Sequence, residues 1–323
     1  MLRAQLFRAD QAPTSAAAAD WAALCADDDH LLWIDAAAPD AAEVARVEAA
    51  LALDPRALAT TRRPDRRPAV RVYPAHTLVT ALAAEVHTPA DGEPVLDTVP
   101  LDLFVGRNYL VSLHAGPLPF LDELEERTAT DPRLGRLDSS YLLYLLLDTL
   151  VDRYAREFGE VEDAVERLEE QLLREPGRDA LNEAVRLKGH IYAFRRLVAP
   201  HRDAYTALVA AEYPAHERPV EGYFRDLLVQ LGGLIDRMDH VGDLATGSYN
   251  LYLSNLSHRT NQQLRVLTFL SAVLLPMTVL TGIFGTNFTL AEYQAWEPFY
   301  VMLAGMGLFT VGLLVFFRRR RWL

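Results

Sequence analysis

The chain of 323 residues has a single cysteine, Cys25. One thiol excludes a disulfide framework and any cysteine-based zinc site. Basic charge is also scarce: 32 Lys and Arg stand against 44 Asp and Glu, a formal net charge of −12. That balance argues against a nucleic-acid partner, which would want a basic surface. The chain lacks a GxGxxG turn, phosphate-loop glycines and an HExxH pair. No grouping of nucleophile, base and oxyanion donors is visible, so neither an enzyme nor an organic cofactor is expected. No basic start followed by a short apolar stretch lies near Met1, so no cleaved signal is expected. From Leu264 onward the only acids are Glu292 and Glu297.

What fills that acid-poor end is apolar. Val266 to Gly285 and Phe299 to Phe317 carry no charge. At about 1.5 Å per residue each spans roughly 30 Å, the thickness of a bilayer's hydrocarbon layer. Two membrane helices in contact with lipid are expected, with spans at about 264–285 and 299–317 and a loop at 286–298. Arg318, Arg319, Arg320 and Arg321 follow the second span. Basic flanks stay cytoplasmic, so both termini are expected inside a cell (inner or plasma) membrane, with Glu292 and Glu297 at the outer mouth.

Residues 1–130 alternate strand-type and helix-type segments and read as a cytoplasmic α/β domain. Leu31–Asp35, Thr77–Val86, Pro100–Val105 and Tyr109–His114 are expected strands, the last two joined by a tight turn at Gly106–Asn108. Asp40–Leu53 and Pro117–Thr128 are expected helices. Arg62, Arg63, Arg66, Arg67 and Arg71, interleaved with Pro64 and Pro68, read as a solvated connection. Residues 131–262 form a region of long stalk helices: Tyr141–Leu173, Asp179–Glu212 and a helix from Glu221 that meets no proline before Pro276. Running on to Phe284, that last helix would be roughly 95 Å long. Residues 263–323 complete the chain as a transmembrane domain. The fold class is thus an α+β membrane protein.

Steps of four and three along the long helix pick out Asn250, Ser254, Ser257, Asn261, Leu264, Thr268, Ser271, Leu275, Thr278, Gly282 and Gly285. One reading is a helix–helix seam of small and hydroxyl residues. The other is a water-lined pore built from several copies of the helix, and asparagine and serine continuing into the stalk favour it over a tight seam. The 3.5-residue period suits a symmetric bundle either way. No ionisable group lies on the stripe within the bilayer, which disfavours a proton relay. All nine histidines lie at or before His258, so the spans offer no nitrogen ligand for zinc. Amide and hydroxyl oxygens suit an ion that keeps its water shell, as Mg2+ tends to. Leu264, Leu267 and Leu275 would make apolar constrictions able to close by dewetting.

The end of the first span, LPMTVLTGIFGTNF, with the acidic loop, second span and RRRRWL, resembles the CorA family of divalent-cation channels. The resemblance covers about residues 65–323. Where that family has Gly-Met-Asn, this chain has Gly285-Thr286-Asn287. The resemblance implies a homopentameric funnel with the first span lining a central pore. It implies that Gly285, Thr286 and Asn287 form the selectivity filter. It also implies a pore lined by Thr278, Leu275, Leu267, Leu264, Asn261 and Asn250, to which the helical stripe adds Ser271 and Ser257. Asn250 stands where the family often has aspartate, and threonine at 286 puts metal preference in doubt. Mg2+ would be both transported and regulatory, with Asp226 on the long helix and Glu85 of a neighbouring subunit as sensing acids. The function implied is a Mg2+ channel, admitting Co2+ or Ni2+ and gated by internal cation. Alternatives are a zinc transporter of the same family, with or without proton coupling, and a membrane-anchored signalling protein with a helical stalk.

Overall fold

The computed structural model describes residues 2–9, 11–27, 29–87, 95–129, 138–174, 178–210, 221–285 and 297–319. The chain divides into two compact units, Met1–Ser248 and Tyr249–Leu323.

The first unit is built on a seven-stranded sheet. Its strands are β1 (Leu2–Arg8), β2 (Thr14–Ser15), β3 (His30–Ala37), β4 (Ala69–Val72), β5 (Thr77–His87), β6 (Val95–Val105) and β7 (Tyr109–His114), in the order β2-β1-β3-β7-β6-β5-β4. β3 and β7 run parallel, with Leu32 opposite Tyr109, and every other described pair is antiparallel. The β6–β7 hairpin closes where expected, the Gly106 amide donating to the Tyr109 carbonyl at 2.9 Å. A side chain at Gly106 would collide with the Tyr109 ring, so the turn needs glycine.

Alternation along the strands gives the sheet two buried faces. Leu6, Leu32, Ile34, Leu78, Phe104 and Val111 point to one, where α2 (Ala41–Leu51) and α3 (Pro55–Thr61) cover them through Val47, Leu51 and Leu58. The short α1 (Trp21–Leu24) adds Trp21. α2 begins with a reciprocal cap: Asp40 Oδ1 accepts the Glu43 amide at 2.7 Å, and Glu43 Oε2 accepts the Asp40 amide at 3.0 Å. The opposite face carries α4 (Pro119–Ala129), α5 (Ser139–Arg174), α6 (Arg178–Val198) and α7 (Pro200–Ala210). Arg3 of β1 ties α4 down, donating to Asp122 at 2.7 Å and Glu125 at 3.1 Å.

α8 (Glu221–Gly285) is one continuous helix of 65 residues. In the first unit its early turns run parallel to α5. Tyr223 meets Tyr144 at 4.9 Å between centroids, Arg237 pairs with Glu162, and the Ser248 hydroxyl donates to Glu169 at 2.6 Å. α6 runs the other way between these sequence partners, its Arg195 pairing with Asp239. Leu227, Leu231, Leu234, Met238, Val241 and Ala245 recur at helical spacing as the buried face of α8.

Two sequence expectations need correction, and further strands come in addition to those expected. Asp179–Glu212 is not one helix. It breaks at Ala199, because Pro200 has no amide to continue the ladder and instead starts α7 at a first-turn position. Leu2–Arg8 and Ala69–Val72 are strands that the pattern did not announce. The arginine-rich connection is not wholly solvated: Arg66 pairs with Asp102, whose side chain is 0% exposed.

Candidate ion path and acidic cluster

The second unit holds the later turns of α8 and α9 (Glu297–Arg319). Both are long and apolar enough to cross a membrane. Burial separates such a span from a soluble core helix: the apolar windows are 0% and 6% buried. These helices turn large apolar side chains outward, which in water is unfavourable and in lipid is not.

Within this unit α9 covers one side of α8. Phe269 meets Phe317 edge to face with centroids 5.6 Å apart. Ala272, Val273, Pro276 and Met277 are partly covered on α8, as are Met302, Met306, Thr310 and Leu313 on α9. At about 100° per residue, Phe269, Ala272, Val273, Pro276 and Met277 centre on one side of α8. Leu264, Leu267, Ser271, Leu275, Thr278 and Gly282 centre on the opposite side, and all six are exposed in the single chain. Asn250, Ser257 and Asn261 are exposed on the same helix. The structure therefore sets the polar stripe on the face of α8 turned away from α9.

The hydroxyls on α8 have a fixed polarity. Thr268 Oγ1 donates to the Leu264 carbonyl at 2.7 Å and Thr278 Oγ1 to the Leu274 carbonyl at 2.8 Å. A hydroxyl whose proton is committed to the preceding turn offers only lone pairs outward. Such oxygens accept from the hydrogens of a cation's water shell. Gly285 is the last residue of α8. Thr286, Asn287 and Glu292 lie outside the described residues, and Glu297 begins α9 with its side chain undescribed.

Asp226 lies on an exposed turn of α8 in the first unit. Its surroundings include acids that the sequence reading passed over. The Tyr144 phenol is pushed up to about 12, first by burial, then by Asp148, with Asp226 adding to the effect. The Asp148 carboxyl is raised by burial and by Asp152, against the opposing charge of Arg127. Asp148 and Asp152 stand one turn apart on α5. In sequence they look like any helical acids; only the parallel packing of α5 and α8 sets Asp148 and Asp226 about the same phenol, that of Tyr144. Glu85 is on β5 opposite Asp97, and its side chain lies outside what is described. Among the described residues of one chain, no group of three or more His, Cys, Asp or Glu could hold a metal.

Two buried histidines serve the sheet. His201 Nε2 accepts the Leu82 amide at 3.0 Å, and the Tyr154 hydroxyl donates to the Leu82 carbonyl. β4 pairs β5 only over Thr77–Thr80, so these side chains stand in for a missing strand at Leu82. Burial pushes the His201 imidazole down to about 4. His114 is different. Burial is the largest single influence and works against its charge, but the hydrogen bond to Asp35 at 3.1 Å, the Asp35 charge and the Gly116 carbonyl together outweigh it, and its pKa is raised.

Comparison with known proteins places the chain. Residues 28–319 match the family model described as CorA-like Mg2+ transporter protein. The cobalt/magnesium transport protein CorA of Thermotoga maritima is 32% identical over 186 residues, 57% of this chain and 53% of that protein. The aligned part thus spans about half the length of that relative. The complete structure of the CorA magnesium transporter from Methanocaldococcus jannaschii superposes with a TM-score of 0.80 at 22% identity, covering 100% of this chain and 99% of that one. The ZntB cytoplasmic domain from Vibrio parahaemolyticus superposes with a TM-score of 0.58 at 13% identity, over 80% of this chain and 98% of that one. At those identities the two structures speak for the fold alone.

Proposed function

This chain belongs to the family of CorA-like Mg2+ transporter proteins, and from that premise we propose that it carries hydrated Mg2+ through a central pore lined by α8 of five identical subunits. As a family member it is a divalent-cation transporter in a membrane, not an enzyme. The observation that carries the pore reading is the opposition of the two faces of α8. α9 takes one side, and the side with Ser271, Thr278 and the acceptor-only hydroxyl is left for an axis. Five copies around that axis would surround water with oxygens and with rings of Leu264, Leu267 and Leu275. Such a path suits a cation that sheds its water reluctantly.

In this reading Gly285, Thr286 and Asn287 form the outer filter, with the Asn287 amide accepting from the ion's water. Glu292 and Glu297 raise the local cation concentration there. Both termini lie in the cytoplasm. Gating is electrostatic: internal Mg2+ between subunits, held by Asp226 and by Glu85 of a neighbour, bridges like-charged faces and keeps the pore shut. Asp148 shares that acidic neighbourhood, since it and Asp226 both act on the Tyr144 phenol.

Flux into proteoliposomes with Mg2+, Co2+, Ni2+ and Zn2+ supplied separately, with and without a pH gradient, tests the assignment. Mg2+ entry without proton coupling is expected. Zn2+ entry that depends on the pH gradient, with no Mg2+ flux, would replace it with the zinc reading.

A further inference from the structure

The first unit contains a crevice that the ion path does not use. β3 and β7 form the one parallel pair among the described strands, and the chain leaves them toward opposite faces of the sheet. β3 leads to α2 on one face, while β7 leads to α4 on the other. Divergence of this kind opens a cleft beyond the carboxyl ends of the two strands, where open α/β sheets bind ligands. Here the cleft measures about 560 Å3. Small-molecule sites fall at roughly 300–1,000 Å3.

Its charged lining is cationic: Arg62, Arg66 and His114. His114 Nδ1 faces the Gly116 carbonyl at 2.5 Å and Nε2 faces the Asp35 carboxylate at 3.1 Å. Both partners are acceptors, an arrangement that favours the doubly protonated ring. Arg66 pairs with Asp102 on one side, and its Nε is buried with no acceptor among the described residues. A buried donor in that state is uncommon, and an oxyanion in the cleft would supply its acceptor. Arg62 is exposed at the end of α3 and makes no ion pair among the described residues.

The rest of the wall is apolar, with Ala38, Ala41 and Val44 along one side. Ala38 is held at φ 42°, a left-handed conformation that costs a non-glycine residue energy. Strain of this sort gathers at ligand sites. The first turn of α2 is already capped by Asp40, so recognition falls to the side chains.

We propose that this crevice binds a small organic phosphate, with its phosphate between Arg62 and Arg66 and its carbon body against Ala41 and Val44. Guanidinium groups match phosphate in charge and in paired hydrogen-bond geometry. The apolar wall gives an organic phosphate contacts that the inorganic ion lacks.

The test is isothermal titration of the full-length protein in detergent, with EDTA present so that no metal complex of the ligand forms. The probes are AMP, ADP, glucose 6-phosphate and inorganic phosphate. Saturable binding of at least one organic phosphate, tighter than inorganic phosphate, is expected. Arg62→Ala and the cleft-filling Ala41→Trp should each weaken it at least about tenfold. Arg63→Ala, next in sequence but not in the lining, should leave it unchanged. Both key positions are exposed, and a thermal melt of each variant confirms that it is folded. The proposal is overturned if none of the organic phosphates binds saturably at millimolar concentration. It is also overturned if Ala41→Trp has no effect, or if Arg63→Ala weakens binding as much as Arg62→Ala.

Discussion

Phe269 and Phe317 meet edge to face, 5.6 Å between ring centroids, and this contact sets which side of α8 is covered by α9. With α9 on the Phe269 side, Thr278 falls on the other and Thr310 beneath the covered face. Both threonines donate their hydroxyl to the preceding turn at 2.8 Å. Replacing either with valine keeps the shape and removes the oxygen. Thr278→Val is expected to cut Mg2+ flux roughly fivefold or more, since one lost hydrogen bond is worth about 1 kcal/mol. Thr310→Val should leave flux within about twofold, because that hydroxyl is on the partly covered side of α9 and not on the exposed stripe of α8. Equal effects in a liposome assay would deny the stripe its role.

The filter reading makes a stronger demand on Asn287. Asn287→Ala removes one amide oxygen from every subunit at the same level of the path. Flux should fall to background while the assembled protein still reaches the membrane, because the residue is assigned to the ion and not to folding. Size-exclusion chromatography and uptake measured on the same preparation check both halves. Undiminished uptake would remove Asn287 from the filter.

Gating is tested at Asp148 as well as at Asp226. Asp226→Ala should raise the internal Mg2+ needed for half-inhibition by several-fold, on the order of 1 kcal/mol of lost cation attraction. Asp148→Asn should shift it the same way by less, because Asp148 is half-buried and its carboxyl already holds its proton more tightly than usual. An inhibition curve unmoved by either change would detach this end of α5 and α8 from sensing.

Most of this architecture was legible because it is written in local periodicity. The uncharged runs, the helical spacing of α5 and α8, and the short strand-type apolar runs of β5, β6 and β7 each need only neighbouring residues to interpret. What escaped depends on distant partners. β1 reads poorly because Arg3 and Gln5 interrupt it, and their partners Asp122 and Glu125 lie on α4. Asp148 and Asp152 gain meaning only when α5 packs parallel to α8. Pro200 was visible, but it stands at a first turn, where proline fits so well that the apolar rhythm carries straight past it. The stripe on α8 was legible as a pattern; which side of it faces α9 was not, since that depends on where Phe317 lands.

Arg66 makes its own case among these distant pairs. Asp102 is fully buried between the Thr80 hydroxyl, at 2.7 Å, and the Arg66 guanidinium. Burial raises its pKa in spite of those partners. Arg66→Ala would leave a buried acid without its counter-charge, a change that costs about 3–5 kcal/mol. The double variant Arg66→Met with Asp102→Leu should recover most of that loss, since it removes both charges together. Chemical denaturation monitored by tryptophan fluorescence compares the two. A single variant as stable as the parent would mean that water, not Arg66, serves Asp102.

The clasp at Leu82 gives the protein an acid-sensitive joint. His201 is neutral when folded, with its pKa near 4, and titrates near 6.5 when unfolded. Between those values the unfolded chain binds the extra proton, so stability must fall as pH drops through about 6.5 and level off near 4. The span of about 2.5 units corresponds to something on the order of 3 kcal/mol. His114 acts in another window: its pKa is raised, so its contribution is complete below about 6.5 and fades at higher pH. His76, also lowered by burial, works in the same direction as His201. Subtracting a His201→Phe curve from the parent curve isolates the one residue from the rest. The variant loses the acceptor for the Leu82 amide and should be about 1–3 kcal/mol less stable at pH 7.5. That gap should shrink as the pH falls from 6.5 to 5, because only the parent then has a proton to exclude. Thermal melts of the detergent-solubilised protein across that range measure it, and a gap that stays constant would mean that His201 is not held neutral against β5.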